Sequence, residues 1–549
     1  MRSLLLAMLF LALAAGASAQ PLALVNADSL LRAGRFEEAA AGYRSLLERD
    51  STQIAPLMGL GRATSRVGRI EEAIGWYRRA LVAGAAPQNL IAYLIAQLHA
   101  RRGDRDSTIA WLKHSLAFRL ERRSVIAGDS LFARWRDDPE FRELAGRARR
   151  EITDRTEGWR ADIDHLVTEA RRMHAGPERP AFQPGFAAAA DELKRRVPSL
   201  SDGRLAAEVQ RLLAMLGDGH SILYPASSAR VTFTRVPIDL WFFSDGLAVV
   251  GADTALAGRV GQRIVAVGGA PIADVMRRLD PYITRDNPMG PLVLGSFFMT
   301  MPPFLEAVGL SDGRTIDYTF ALPTGGQETV SLAPAGLRAP AFKLMPAPGM
   351  SGERPRYLRH PEANLWLEPL PDLEAVYVQY NQVANGPTIP VGQFADSLSR
   401  TLRRSGAGDL IVDVRRNNGG NNELNRPLIR AMIDFEMEPG RRIWVITSRT
   451  TFSAAQNFIN LVERWTSATF VGEPSGSKPN FAGEDTELIL PYSGLRGSIS
   501  TRWWQDSGPL DRRQWIAPHL SVPVQSADHF GGRDPVLDAI ISAIRARRG

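Results

Sequence analysis

The stretch from Arg441 to Gly483, RRIWVITSRTTFSAAQNFINLVERWTSATFVGEPSGSKPNFAG, sets one polar residue between two buried elements. Ile443 to Ile446 form a short apolar run of strand length, and Thr447 to Thr451 read as its polar exit. After Ser453, the residues Ala454, Ala455, Phe458, Ile459 and Val462 recur at helical spacing, so Ser453 stands at the start of a helix. A serine there has two uses. As an N-cap, its oxygen accepts a free backbone N–H of the first turn. As a nucleophile, it sits on a strand-to-helix turn where backbone N–H groups and the positive end of the helix dipole face a developing oxyanion.

A nucleophilic serine needs a base. Lys478 lies beyond a second apolar run, Ala468 to Val471, at the end of the turn-rich GEPSGSK. The chain has four lysines, Lys113, Lys194, Lys343 and Lys478, and the other 62 of its 66 basic residues are arginines, which cannot give up a proton. For Lys478 to act near neutral pH, its pKa must fall from ~10.4 to roughly 7–8, a shift that burial alone can supply.

These strings carry a resemblance. TFSAAQ, followed by VGEPSGSK with Lys478 placed 25 residues after Ser453, resembles the tail-specific (C-terminal processing) serine proteases, in which a serine pairs with a lysine at this spacing. DVRRNNGGN, Asp413 to Asn421, is similar to the D-L-R-x-N-x-G-G turn of that family, and GDGHS, Gly217 to Ser221, to its D-G-H-T segment. The resemblance implies an exported serine endopeptidase with Ser453 as nucleophile and Lys478 as base. In the tricorn branch of the superfamily a histidine near this segment is the base, with a glutamate orienting it, so His220 is the alternative. The two stay open on the sequence. Oxyanion donors are expected from the backbone N–H groups of Ala454 and of Gly419 or Gly420, on the turn that follows a buried strand. Two positions depart from the pattern. Gln456 replaces a common glutamate, and Ala482 replaces a glutamine that holds the lysine, which leaves Asn480 or a carbonyl to orient Lys478. For a histidine base, Glu473, Glu484 and Asp485 are the candidate orienting acids.

Towards the amino end, Arg2, the apolar run Leu4 to Ala15 and the small residues Ala17-Ser18-Ala19 read as a signal peptide over residues 1–19, which predicts a periplasmic or extracellular protein. No later run is long and apolar enough to span a membrane. The chain has no cysteine, which excludes disulfides and a thiol nucleophile. Its net charge of +7 comes from arginines dispersed among acids, without nucleic-acid-binding motifs, and its eight histidines are scattered with no metal-ligand spacing. Neither a cofactor nor a metal is expected.

Gly34-Arg35-Phe36-Glu37-Glu38-Ala39 recurs as Gly68-Arg69-Ile70-Glu71-Glu72-Ala73, and Tyr43 recurs as Tyr77, both at a period of 34; a weaker copy starts at Gly103 and carries Trp111. This resembles tetratricopeptide repeats, which predicts an α-solenoid over residues 22–118 whose surface could take a protein partner. Residues 119–158 read as a helical linker interrupted at Pro139, and residues 159–225 as a helical subdomain with a loop marked by Pro177, Pro180 and Pro184. Residues 226–345 read as a β region, with strands at Ile238 to Val250, Ile264 to Val267 and Ile316 to Phe320. Its segment Gly258 to Leu279 resembles a PDZ hairpin and helix, which implies capture of a peptide as an added strand. Leu337 to Arg356 reads as a linker, and residues 346–549 alternate strand and helix patterns. The resemblance makes that last region a crotonase-like β/β/α core. The whole is a multi-domain α+β protein acting on a polypeptide; the rival reading is a non-catalytic peptide- or ligand-binding protein on the same fold.

Overall fold

The computed structural model describes residues 22–147, 151–226, 228, 230–322, 325–337 and 354–548. The expected signal peptide and most of the expected linker Leu337 to Arg356 lie outside the described residues. The chain divides into two compact units, Met1–Glu151 and Ile152–Gly549.

In the first unit, helices pair antiparallel: Leu22–Arg32 with Phe36–Arg49, Ile54–Arg66 with Ile70–Val82, and Gln88–Arg101 with Arg105–Ala117. Gly34, Gly68 and Gly103 hold φ of +77°, +82° and +75° at the three turns, a conformation that penalises a side chain. Tyr43 and Tyr77 are buried at equivalent places and share one core with Leu57, Leu60 and Ile91. The helical pattern breaks over residues 136–138, immediately before Pro139. That proline opens the helix Pro139–Leu144, where its missing N–H is harmless, and Asp138 caps the Glu140 and Phe141 N–H groups.

In the second unit, the helices Arg155–Met173, Pro184–Arg196 and Asp202–Ala214 pack their apolar faces together and against an antiparallel sheet, so one core runs from Trp159, Ile163 and Leu212 to Ile238, Val267, Tyr318 and Phe320. The sheet order is Ile238–Phe243, Gly246–Ala252, Arg263–Val267, Ile316–Ala321, Gln327–Leu332. The span read as one strand, Ile238 to Val250, is a hairpin, because Ser244 and Asp245 turn the chain before Gly246.

The carboxyl-terminal region holds a 6-stranded sheet in the order Leu520–Ser521, Thr469–Gly472, Arg442–Thr447, Asp409–Asp413, Ala375–Tyr380, Leu365–Leu370. All neighbours are parallel except the last pair. Alternate side chains divide between its two faces. Val376, Val378, Leu410, Val412, Val445 and Phe470 meet the helices Val391–Ser405, Arg426–Glu436 and Ala454–Trp465. Tyr377, Ile411, Ile446 and Val471 meet the last helix, Pro535–Arg548, through Val536, Leu537, Ile540 and Ile544. Burial on both faces explains why these strands read as unbroken apolar runs.

Candidate active site

The carboxyl ends of two neighbouring parallel strands carry the site, which is where open α/β sheets present ligands. From Asp413 the chain runs into the loop bearing Gly419 and Gly420, and from Thr447 into the turn bearing Ser453. The loops are tied together: Val414 N–H donates to Ile446 O at 2.9 Å, Phe452 N–H to Asn417 O at 3.1 Å, and Asn425 Nδ2 to Ala454 O at 2.9 Å.

Ser453 precedes the helix Ala454–Trp465 at φ 55° and ψ −124°, and its side chain makes no capping hydrogen bond. The N-cap reading therefore fails. A non-glycine residue held in this sparsely populated region costs of order 1–3 kcal/mol, offset by the packing around it. What the strain achieves is to aim the hydroxyl away from the helix end, so that Ser453 Oγ lies 2.8 Å from His220 Nε2.

His220 is held from several sides. Its ring stacks on Phe452, at 4.5 Å between centroids, and on Phe481, at 5.6 Å. Its N–H donates to Asp218 Oδ1 at 2.8 Å, and its carbonyl accepts from Ser498 Oγ at 2.6 Å. The GDGHS segment lies along the hairpin Asn480–Ile489 with Arg496–Gln505: Ile222 and Ser498 exchange backbone hydrogen bonds at 3.2 and 2.8 Å. Asp218 anchors the segment. Its Oδ1 also accepts from Ser221 N–H at 2.7 Å and Ser500 Oγ at 2.5 Å, and its Oδ2 meets His174 Nε2 at 2.9 Å. Burial works to raise this carboxyl, but the His174 ring and the Ser500 and Ser221 groups outweigh it and hold it below the ordinary aspartate value.

Lys478 is half-buried, and among the described residues its ammonium makes no hydrogen bond to Ser453. Its neighbour Ser477 instead accepts the Ser453 N–H at 3.2 Å. Asn480, expected to orient Lys478, is committed elsewhere, donating to Gly508 O at 2.8 Å and accepting from Ser507 N–H at 3.0 Å. Ala482 is buried in the hairpin strand. Of the sequence-named acids, Glu473 pairs with Arg449, Asp485 accepts from the Tyr224 hydroxyl at 2.9 Å, and Glu484 is exposed.

Gly419 reaches so close to the serine that a Cβ on it would stand 2.7 Å from Ser453 Cβ and 3.0 Å from Ala454 N, and its φ is +113°. Its N–H is already donated to Asn417 Oδ1 at 3.0 Å, so it is not a free oxyanion donor as expected. The N–H groups of Gly420 and Ala454 carry no hydrogen bond among the described residues.

Sequence reasoning missed Asp286. It is buried, and its Oδ1 accepts the N–H of Gly219, next to His220, at 2.8 Å. Burial pushes its carboxyl up to about 6, while the charge of His220 pulls it down and Asp218 pushes it up. Its sequence neighbourhood, RDNPMG, reads as an ordinary turn and gives no signal of this. Among the described residues no cluster of three metal-ligating side chains exists, and no helix is long and apolar enough to cross a membrane.

By sequence, the chain matches no known family model and no curated protein. By structure, it is similar to mature CPAF complexed with lactacystin, at 14% identity over 71% of this chain and 98% of that chain, with a TM-score of 0.50. It is also similar to a CPAF mutant, at 12% identity over 71% of this chain and 97% of that chain, with a TM-score of 0.51. A weaker likeness, with a TM-score of 0.34 and 12% identity over 69% of this chain and 98% of that chain, is to the photosystem II D1 C-terminal processing protease. At these identities the likeness is one of architecture: over the matched 71% of its length the chain has an α+β fold like that of mature CPAF.

Proposed function

We propose that this chain is a serine endopeptidase of the tail-specific type in which Ser453 is the nucleophile and His220, rather than Lys478, is the general base. The single observation that carries this reading is the 2.8 Å approach of His220 Nε2 to Ser453 Oγ on a turn whose serine is strained and uncapped. Ser453 Oγ attacks the peptide carbonyl carbon while His220 Nε2 takes its proton. The C–N bond then breaks as Nε2 returns that proton to the leaving amine. Water, deprotonated by the same nitrogen, attacks the acyl carbon, and the C–Oγ bond breaks as Nε2 passes that proton to Ser453 Oγ, which releases the acid and restores the serine. The N–H groups of Ala454 and Gly420 hold the oxyanion.

The finer parts of the reading follow from the same chain. The antiparallel sheet with the helix Ile272–Leu279 acts as a PDZ-like peptide holder, the carboxyl-terminal sheet is a crotonase-like core, and the helical pairs of residues 22–118 are tetratricopeptide-like units offering a partner surface. Residues 1–19 direct export.

Casein or a fluorogenic peptide incubated with the wild type and with Ser453→Ala tests the activity. Cleavage that disappears in the variant, together with loss of labelling by a fluorophosphonate, supports a serine peptidase. A wild type that binds peptides without cleaving them, or labelling that persists in Ser453→Ala, would overturn it.

A further inference from the structure

The segment from Thr284 to Asn287 leaves the inserted β region and reaches the catalytic loops, with Thr284, Asp286 and Asn287 all buried. Each of these side chains holds part of the site. The Thr284 hydroxyl donates to Asp218 O, Asn287 Nδ2 donates to Ser475 O at 2.9 Å and to Gln514 O at 2.8 Å, and Asp286 Oδ1 accepts from Gly219 N–H at 2.8 Å. One oxygen is left over. Asp286 Oδ2 is the one buried carboxylate oxygen without a hydrogen bond among the described residues, and His220 Nδ1 is likewise buried and unbonded.

Two orphaned polar atoms of opposite need, on residues whose loops are joined through Gly219, are costly apart and stabilising together. Asp218 cannot fill the role, because its Oδ1 already takes three donors and its Oδ2 takes His174. We infer that Asp286 is the positioning residue of the catalytic base, its carboxylate fixing the proton of His220 on Nδ1 so that Nε2 is the nitrogen that faces Ser453.

The inference rests on His220 being the base. It deepens that reading by placing the third member of the relay on the inserted region rather than on the core. Asp286 does not take the proton. It holds the Nδ1–H and stabilises the imidazolium formed when Nε2 receives the proton of Ser453. The titratable groups facing this pair are Asp218 and, behind it, His174, with the Ser477 hydroxyl also acting on the Asp286 carboxyl, which the charge of His220 pulls down.

The test compares the wild type with Asp286→Asn, His220→Ala and the double variant, reading kcat, thermal midpoint and the pH profile. Asparagine keeps an oxygen for the Gly219 N–H and removes a buried charge, so Asp286→Asn should melt no lower than the wild type while kcat falls by about 10²–10⁴. Added to His220→Ala, it should change nothing further. Should the variant fold poorly, ¹⁵N-histidine spectra of the wild type, with the His220 signals assigned by their loss in His220→Ala, must show His220 protonated on Nδ1. Wild-type kcat in Asp286→Asn beside an inactive His220→Ala, an equal fall in both backgrounds, or an Nε2-protonated ring would overturn the inference and leave the base assignment standing. Full activity in His220→Ala would overturn both.

Discussion

His174 Nε2 and Asp218 Oδ2 meet at 2.9 Å where both side chains are almost wholly buried, and this pair decides where His220 sits. The other oxygen of the same carboxylate carries the N–H groups of His220 and Ser221. Removing the His174 ring leaves a buried carboxylate oxygen without its hydrogen bond, at a cost of about 1–3 kcal/mol. His174→Ala should therefore lower stability to urea by that amount at pH 7 and reduce kcat at least tenfold. Because Asp218 is held below its unfolded value, the stability it contributes is present above about pH 4 and is lost as pH falls through the folded value. The difference between wild type and variant, measured by urea titration, should narrow below about pH 4.

Gly419 is required by its surroundings twice over. A methyl group there would meet Ser453 Cβ at 2.7 Å and would also have to adopt φ +113°. Gly419→Ala should displace the serine, lowering kcat/KM by about 10²-fold, on the order expected of an ångström-scale misplacement. It should also lower stability by roughly 1–3 kcal/mol. Peptide hydrolysis and thermal melting check the two effects separately.

The strain at Ser453 separates two variants that are equally inactive. Ser453→Ala keeps a side chain at φ 55°, whereas Ser453→Gly relaxes it. The glycine variant should melt above the alanine variant, by about 1 kcal/mol in stability after the greater entropy of glycine in the unfolded chain is subtracted. Equal melting temperatures would mean that the turn is not strained.

Arg415 is a buried cation at the end of the central strand Asp409–Asp413. It bridges Asp413 and Asp534, at 2.8 Å to each, and its guanidinium lies over the Tyr357 ring. It thus joins the end of a central strand to the residue that opens the last helix. Arg415→Ala leaves two buried carboxylates facing each other and should cost about 3–5 kcal/mol. Arg415→Lys should recover only part of that, because a single ammonium cannot reproduce the two-sided fork. Chemical denaturation of both variants measures the difference.

Much of this was legible in the sequence, for identifiable reasons. The 34-residue period shows because each helix pair must turn at Gly34, Gly68 or Gly103 and bury Tyr43 or Tyr77. Strand and helix alternation after Leu365 shows because the parallel strands are buried on both faces. The elbow at Ser453 shows because a lone polar residue interrupts two apolar elements. What the sequence could not arbitrate was Lys478 against His220. The hairpin Asn480–Gln505 holds the GDGHS segment through Phe481, Ser498 and Ser500, with His220 Nε2 at 2.8 Å from Ser453 Oγ, while Lys478 precedes the hairpin. Asp286 was invisible because its role comes from one unsatisfied oxygen, a property of packing and not of spacing. Gly419 was half readable: its closeness to the serine follows from the turn, but the loss of its N–H to Asn417 does not.

The measurement that bears most directly on the account is kcat/KM for peptide cleavage, across pH 5 to 10, by His220→Ala and Lys478→Ala beside the wild type. The account predicts a fall of about 10²–10⁴ in His220→Ala, the range supplied by a general base, and activity within about threefold of wild type in Lys478→Ala. An inactive Lys478→Ala beside an active His220→Ala would contradict it.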